Sequence, residues 1–253
     1  MPNSYFQFKQ FTIQQEKAAL KVSTDSCLFG AWAAEEVRSR NYEVRSPANS
    51  LAIHHSPLTI LDIGAGTGLL MLMLAQKCDA LIDGIEIDEP SFQQAKENIE
   101  VSPWKERLQL FHAHVKQFSF SKKYDLVISN PPFYEGDLKS GAANRNVAMH
   151  DQGLKLDELV QVVDLNLTED GRFAVLLPYA RAERMIELAK AVNLQLQTHV
   201  QVKQTVKHSY FRSILLFNRR DMGPVIEELA IKDESNQYTN EFIGLLKDYY
   251  LYL

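Results

Sequence analysis

The sequence predicts an α/β protein built on a doubly wound, mostly parallel sheet of seven strands that ends in an antiparallel hairpin. Strand-like and helix-like segments alternate from residue 58 onward, which is typical of parallel sheets joined by right-handed crossovers. A glycine-rich turn at 64–68 follows the first strand, and a rigid Asn-Pro-Pro-Phe segment at 130–133 follows the fourth. Open α/β sheets bind their ligands at the carboxyl ends of strands, so both segments predict the same site.

Length and composition indicate one domain over residues 1–253 with a full hydrophobic core, since 45% of the residues are hydrophobic. The net charge of −5 and the isoelectric point of about 5.8 exclude a globally basic nucleic-acid binder. A polyanion would therefore have to bind a local patch of the surface.

The two cysteines, Cys27 and Cys78, are far apart and lack the spacing of a metal site, so we expect both to be reduced and buried. His54 and His55 have no carboxylate or cysteine spaced to complete a ligand set, and we interpret them as solvated loop residues. No metal is expected. The absence of a charged-then-apolar leader before Phe6, and of any bilayer-length apolar run, predicts a soluble, cytoplasmic protein.

Two segments precede the predicted sheet. Phe6, Phe8 and Phe11 alternate with polar residues in a strand-like pattern. Arg38–Pro57 is polar and irregular, and a loop of this length within a compact domain is expected to be flexible.

Residues 1–35 are predicted to form an amino-terminal lid region. Cys27–Trp32 is an apolar run with helical spacing, and Asp25 or Thr24 can cap that helix. The lid hypothesis places Lys21–Asp25 over a ligand held by the sheet. The alternative is a capped helix with no further role.

The strongest signal in the first half of the chain is a strand that leads into a glycine turn. Leu58–Ile63 reads as a buried parallel strand and runs into Gly64-Ala65-Gly66-Thr67-Gly68. The next strand, Ala80–Ile87, carries Glu86 near its end. Glycines at such a turn let the backbone approach a ligand closely, and a carboxylate there can hold ribose hydroxyls. A nicotinamide cofactor could use the same contacts. However, the spacing that begins at Asp62 is Asp-x-Gly-x-Gly-x-Gly, which differs from the Gly-x-Gly-x-x-Gly spacing typical of dinucleotide sites.

The remaining segments continue the alternation of strand and helix. In chain order they are helix Leu69–Lys77, helix Pro90–Val101, strand Arg107–Phe111, strand Asp125–Ser129, helix Lys155–Leu167, strand Arg172–Leu177, helix Ala180–Val192, and the hairpin runs Leu194–Lys203 and Tyr210–Phe217. The last of these runs is predicted to lie antiparallel within the sheet.

The segment Asn130-Pro131-Pro132-Phe133 has the chemistry to hold an amino group. Each proline fixes φ at about −65° and lacks an N–H, so the backbone is stiff. The Asn130 amide oxygen and the following carbonyls form a row of acceptors beside the ring of Phe133. Accepting both hydrogens of a nucleobase amino group localises and aims its lone pair, while an aromatic face holds the base flat. Taken alone, these residues are equally compatible with a polar strand end before a Pro-Pro loop.

In combination, the glycine turn, Glu86 and the Asn-Pro-Pro-Phe segment resemble the S-adenosylmethionine (SAM) site of class I methyltransferases, which have a Rossmann-like fold. The chain is also similar to bacterial enzymes that methylate N6 of the adenine next to the anticodon of valine tRNA. This similarity lies in three segments that occur in the same order around the central motifs: Phe8–Phe11, Lys21–Asp25 and Tyr238–Phe242. The resemblance covers nearly the whole chain. It implies SAM as cofactor, tRNA as the partner and a cytoplasmic location.

The resemblance also implies a set of site residues. The cofactor contacts are expected from Lys21, Val22, Thr24, Asp62, Gly64, Ala65, Gly66, Gly68, Glu86, Ile87, His114, Val115 and Asn130. The catalytic residues are expected to be Asn130, Pro131, Pro132 and Phe133, and the RNA-binding residues Lys139, Arg145 and His150. The cations of the hairpin, Lys203, Lys207, His208 and Arg212, are a further candidate RNA surface, with ordinary solvated charge as the alternative for both groups. No membrane or obligate protein partner is expected, and the protein is expected to be a monomer.

One position departs from the methyltransferase pattern. Many relatives carry an aspartate after the third strand that accepts from the amino group of the cofactor's adenine, and spacing places His114 there. A neutral imidazole can accept one such hydrogen bond. Alternatively the backbone N–H of Val115 contacts the adenine and His114 only fills space.

Three other functions remain open from the sequence. A guanine-N2 methyltransferase acting on ribosomal RNA and a methyltransferase acting on a protein glutamine amide would use the same four residues. An inert SAM- and RNA-binding module is the alternative from a different class. The intact Asn130–Phe133 segment argues against inertness, and a protein substrate gives no reason for Arg145 or the basic hairpin.

Overall fold

The computed structural model describes residues 3–44, 57–132 and 154–253. Its strands are β1 Tyr5–Gln7, β2 Thr12–Gln14, β3 Thr59–Ile63, β4 Leu81–Glu86, β5 Leu108–His112, β6 Tyr124–Ser129, β7 Leu167–Pro178, β8 Gln195–Thr205, β9 Tyr210–Asn218 and β10 Val225–Lys232. Its helices are α1 Thr24–Val44, α2 Leu69–Lys77, α3 Glu89–Glu100, α4 Leu156–Asn166, α5 Ala182–Ala191 and α6 Asn240–Leu246. Short 3₁₀ turns lie at Lys105–Arg107, Val115–Gln117 and Tyr179–Arg181.

The main sheet has eight strands in the order β10-β8-β9-β7-β6-β3-β4-β5. Strands β3 to β7 are parallel, β9 is antiparallel to both of its neighbours β7 and β8, and β10 pairs parallel with β8. The chain winds outward from β3 on one side and from β6 on the other, so the reversal of strand order falls between these two. Crevices at such a reversal are where doubly wound sheets bind ligands.

The predicted fold class is confirmed, including the antiparallel last strand of the hairpin, and the sheet has one strand more than expected. That strand is β10, whose first four residues are all exposed, including Val225 and Ile226 at 57% and 55%. An edge strand with little burial lacks the alternation of apolar and polar residues by which strands are recognised in sequence.

Helix α1 differs from expectation at both ends. Its cap is Ser23, not Thr24 or Asp25, because the Ser23 carbonyl accepts the Cys27 N–H at 3.0 Å and Ser23 Oγ accepts the Ser26 N–H at 3.3 Å. The helix continues to residue 44, so the first seven residues of the expected 38–57 loop are helical. Residues 45–56 of that loop lie outside the described part of the chain.

The sheet separates two hydrophobic clusters, as the alternation of side chains along a strand requires. Ile60 packs with α1, α2 and α6 on one face, and Leu61 packs with α4 and α5 on the other, both 0% exposed. Cys27 and Cys78 are buried and free, as predicted. Within the described ranges, no helix is long and apolar enough to cross a membrane.

The amino-terminal β-ribbon of β1 and β2 is attached to the end of the chain. Phe8 forms an antiparallel bridge with Tyr250, and their ring centroids lie 6.0 Å apart. The Lys9 N–H donates to the Tyr249 carbonyl at 2.8 Å. These contacts hold the segment leading to α1 against the body of the protein.

Candidate active site

A cavity of about 470 Å³ opens at the carboxyl ends of β3, β4, β5 and β6. Its described wall comes from the residues that end these strands, from the start of α3, and from Ala19 and Leu20 in the segment before α1. The volume lies in the range of sites for small molecules and cofactors, roughly 300–1,000 Å³. The cavity is therefore at the place that the sequence predicted for a ligand.

The glycine turn after β3 forms one wall of this cavity. Gly64 and Gly66 have φ of 79° and 55°, in the left-handed region that other residues rarely adopt. The Gly64 N–H donates to the carbonyl of Ile85 at 2.9 Å, which fastens the turn to the neighbouring strand. A cradle of backbone without side chains results, as the glycine spacing predicted.

The carboxylate of Glu86 is buried at the end of β4 and braces this turn. One oxygen accepts the Gly66 N–H at 2.8 Å, and the other accepts the N–H groups of Ile87 and Asp88, both at 2.8 Å. A carboxylate has about four acceptor sites, so three are filled by the backbone. One remains for a ligand hydroxyl, on the oxygen that faces Gly66.

Asp62 lies behind the turn and is fully buried. Neither of its carboxyl oxygens has a hydrogen-bond partner among the described residues. Burial, and then the charge of Glu86, raise the pKa of Asp62 to about 8. Buried polar atoms are almost always paired, so an orphaned carboxyl beneath a ligand cavity indicates that a partner arrives with the ligand or with water.

Asn130 ends β6 at the mouth of the cavity. The preceding Ser129 donates from its hydroxyl to the Ile63 carbonyl at 2.8 Å, which ties the ends of β6 and β3 together. Asn130 Nδ2 donates to Ser26 Oγ of α1 at 3.0 Å. Pro131 is buried and Pro132 exposed, and both line the cavity.

His114 caps the 3₁₀ turn that follows β5. Its Nδ1 accepts the Lys116 N–H at 3.2 Å, so the proton of the neutral ring must be on Nε2. That nitrogen is then a donor and cannot accept from an amino group. Val115 lines the cavity, and as a first residue of the 3₁₀ turn its N–H has no partner within that turn. The cap therefore leaves the neutral His114 ring no acceptor for an adenine amino group, and the Val115 contact stays a prediction.

The expected cofactor residues divide into two groups. Those that line the cavity are Gly64, Gly66, Glu86, Ile87, His114, Val115 and Asn130, together with the expected catalytic Pro131 and Pro132. Lys21, Val22, Thr24, Asp62, Ala65 and Gly68 are not part of the described wall. Lys21 Nζ donates to the carbonyl of Gln15, and the Val22 N–H donates to Gln15 Oε1 at 2.8 Å, so both are engaged within the amino-terminal segment.

The expected RNA-binding residues Lys139, Arg145 and His150, and the expected catalytic Phe133, lie outside the described residues. The hairpin cations are described, and three of them form ion pairs. Lys203 pairs with Glu228 at 2.9 Å, Arg212 with Asp25 at 2.7 Å, and Lys207 with Glu234 at 3.9 Å. These acidic partners offset part of the positive charge of the hairpin, and its RNA-binding role stays a prediction. No cluster of metal-ligating side chains occurs in the described parts of the chain.

Several residues of the site were not predicted from the sequence. Asp88, Ser91 and Leu154 line the cavity, and Ser26 contacts Asn130 directly. Asp88 caps α3 by accepting the Ser91 N–H at 3.0 Å, and a cap followed by Pro90 at a helix start is a signal that sequence offers. Ser26 gives no such signal, because its partner is 104 positions away in the chain.

Comparison with known proteins gives the class of the molecule. Residues 49–175 match the family model of the methyltransferase small domain. A predicted O-methyltransferase from Agrobacterium tumefaciens has the same fold, with a TM-score of 0.63 and 13% identity over 88% of this chain and 95% of that one. A glycopeptide N-methyltransferase superposes with a TM-score of 0.51 and 10% identity over 76% and 90% of the two chains. Fold, glycine turn and Asn-Pro-Pro segment thus define a class I methyltransferase.

Full-length relatives narrow the class to a family. A tRNA1(Val) (adenine(37)-N6)-methyltransferase from Flavobacterium johnsoniae is 41% identical over 97% of this chain and 99% of its own. The protein of that name from Pseudoalteromonas translucida is 38% identical over 98% of this chain and 99% of its own. The chain belongs to the tRNA1(Val) (adenine(37)-N6)-methyltransferase family, as the sequence resemblance implied.

Proposed function

We propose that the protein transfers the methyl group of SAM to N6 of an adenine in tRNA, with adenine 37 of tRNA1(Val) as the target that the relatives' names suggest. The observation that carries the proposal is the orientation of Asn130 at the cavity mouth. Its Nδ2 is used by Ser26, so its amide oxygen is directed away from α1. An amide oxygen in this place suits an amino group that enters beside the cofactor.

The cavity suits SAM in its polar groups as well as its size. Glu86 has one acceptor site left for a ribose hydroxyl, and the Val115 N–H can donate to a ring nitrogen of the adenine. Asp62 has no hydrogen-bond partner among the described residues, and the ammonium group of SAM, through water, would supply one. SAM brings a methyl group on a sulfonium, which is a good leaving group, so the protein's task is alignment.

The chain's own residues would align the nucleophile. The Asn130 amide oxygen and the Pro131 carbonyl accept the two hydrogens of the adenine amino group, and this directs the nitrogen lone pair at the methyl carbon. The amino group becomes more acidic as it gains the methyl, so no strong base is required. Phe133 would stack on the adenine once it has left its own stack.

The remaining contacts are assigned from the sequence. Lys139, Arg145 and His150 follow the catalytic segment closely enough to reach phosphates on either side of the target adenine. The lid role of Lys21–Asp25 is supported by Ala19 and Leu20, which come just before this segment and line the cavity. We propose that the protein acts on tRNA as a cytoplasmic monomer.

The test is methylation of unmodified tRNA1(Val) by the purified protein with SAM, read out by mass spectrometry of the nucleosides. We expect N6-methyladenosine from the wild-type tRNA and none from a transcript with guanine at position 37. The Asn130→Ala variant, which retains the cavity, is the negative control. Methylguanosine in ribosomal RNA, or methylation of a protein glutamine in place of tRNA, would replace the proposal by one of its rivals.

A further inference from the structure

A chain of hydrogen bonds runs from Arg212 of β9 to Asn130. Arg212 of β9 donates from Nε to Asp25 Oδ2 at 2.7 Å. Asp25 Oδ1 accepts the hydroxyl of Ser23, and Ser23 Oγ lies 2.7 Å from Ser26 Oγ. Ser26 Oγ in turn lies 3.0 Å from Asn130 Nδ2. The start of α1 thus connects the terminal hairpin to the residue that is proposed to hold the substrate.

The direction of the bonds from Asp25 to Asn130 follows from the Asp25 carboxylate. A carboxylate has no hydrogen to give, so Ser23 must donate its single hydroxyl hydrogen to Asp25. Ser23 Oγ has then no hydrogen left for Ser26, so the Ser26 hydroxyl must donate its hydrogen to Ser23 Oγ. Ser26 Oγ can therefore only accept a hydrogen bond from Asn130, and this requires the NH₂ end of the Asn130 amide to face Ser26.

The two ends of an asparagine amide are nearly the same size, so shape does not select between them. With the amide reversed, its oxygen would face Ser26 Oγ with no hydrogen between them. Such a contact costs the desolvation of a polar group without a hydrogen bond. The order of donors set by Asp25 therefore fixes the amide oxygen of Asn130 on the side from which a substrate amino group arrives.

We propose that Ser26, held by Ser23 and Asp25, is a positioning residue that sets the amide orientation of Asn130 for methyl transfer. The inference rests on the proposed function for its catalytic consequence. Ser26 does not line the described cavity, so it acts through Asn130 and not on the cofactor.

The first experiment compares Ser26→Ala with wild type in the tRNA methylation assay. We expect kcat to fall about 3- to 10-fold, the effect of one neutral hydrogen bond, with the KM for tRNA and the Kd for SAM within about two-fold. Ser26→Thr keeps the hydroxyl and is expected to retain most of the rate. Ser39→Ala is the matched control, since this exposed serine of the same helix bonds the Glu35 carbonyl, at 2.9 Å. A wild-type kcat in Ser26→Ala, or a loss confined to KM or Kd, would overturn the inference.

A second pair of variants tests the donor order itself. In Asp25→Asn the amide oxygen would stay on the Arg212 donor and the amide NH₂ would donate to Ser23, which reverses the donor order, so we expect a loss in kcat at least as large as in Ser26→Ala. Arg212→Gln removes the ion pair and leaves the carboxylate, so its loss should be smaller. Equal losses in Asp25→Asn and Arg212→Gln would assign the effect to the ion pair and contradict the donor order.

A readout that is independent of the reaction separates this inference from the proposed function. The side-chain NH₂ signals of Asn130 in an NMR spectrum, assigned through their disappearance in Asn130→Ala, should shift in Ser26→Ala and stay in place in Ser39→Ala. Signals that do not move would rule out the hydrogen bond. If wild type does not methylate tRNA, the proposed function fails, while these signals still decide whether Ser26 orients Asn130.

Discussion

Glu86, at the end of β4, accepts the backbone N–H of Gly66 at 2.8 Å and so joins the two strand ends that enclose the cavity. The same carboxylate is the candidate partner of the cofactor ribose. One side chain therefore shapes the glycine turn and, in the proposed function, contacts the ligand. Loss of Glu86 should affect both.

Replacing Glu86 with alanine is expected to weaken SAM binding by about 1–3 kcal/mol, the range for losing hydrogen bonds to a charged group. Titration calorimetry measures this directly. Glu100→Ala, an exposed glutamate at the end of α3, is the control. Unchanged SAM affinity in Glu86→Ala would remove this residue from the ribose role.

Replacing Asn130 with alanine should leave SAM affinity within a few-fold and cut methyl transfer by about 10²-fold or more, as the loss of a positioned transition-state interaction does. Single-turnover kinetics with tRNA and calorimetry with SAM separate the two effects. Equal losses in binding and turnover would show that Asn130 serves the cofactor.

Asp62 should make the stability of the ligand-free protein depend on pH. The pKa of Asp62 is raised from 3.8 to about 8, so between these values the folded state holds a proton that the unfolded state has released. The free energy of unfolding therefore falls as pH rises through this window, by up to about 1.4 kcal/mol per pH unit. Asp62→Asn, which does not titrate, should lose this component when urea unfolding is compared at pH values near the two ends of the window. An identical pH dependence in the two proteins would show that Asp62 is ionised.

Replacing His114 with aspartate should strengthen SAM binding, about 3- to 10-fold for one added hydrogen bond. Aspartate can cap the Lys116 N–H with one oxygen and accept from the adenine amino group with the other, whereas the His114 ring has only Nδ1 as acceptor and uses it for the cap. His114→Asn, which retains a single acceptor, is the matched control. Weaker binding in His114→Asp would indicate that the imidazole itself contacts the adenine.

The salt dependence of tRNA binding should separate charge from stacking. Because the net charge is −5, affinity must come from a few local contacts. Arg145→Ala is expected to weaken binding and to flatten the salt slope by about 0.7–0.9 log units for each phosphate that is no longer neutralised. Phe133→Ala should cost about 1–3 kcal/mol of stacking and leave the slope intact. If Arg145→Ala changed neither affinity nor slope, the RNA would approach by another face.

The sequence was sufficient for the fold class and for the location of the site. Alternating segments predicted the parallel sheet, and the glycine turn, Glu86 and Asn130 were placed at strand ends that the structure brings around one cavity. Local patterns encode these features, because strand period, glycine conformation and proline geometry each act within a few residues. The additional strand β10 was not predicted, because its exposed first half lacks an apolar–polar alternation. The Ser23 cap was not predicted either, because Thr24 and Asp25 beside it are equally suitable cap residues.

Only the tertiary structure decided which side chains meet. Ser26 contacts Asn130 from 104 positions away, and Arg212 reaches Asp25 across 187. Three hairpin cations find acidic partners for the same reason, and Asp62, on a buried central strand, has no hydrogen-bond partner within the described part of the chain. The charge and orientation of each group in the site depend on neighbours that are distant in sequence. Such neighbours cannot be predicted from a local segment of the chain, because only the packing of the whole fold brings them together.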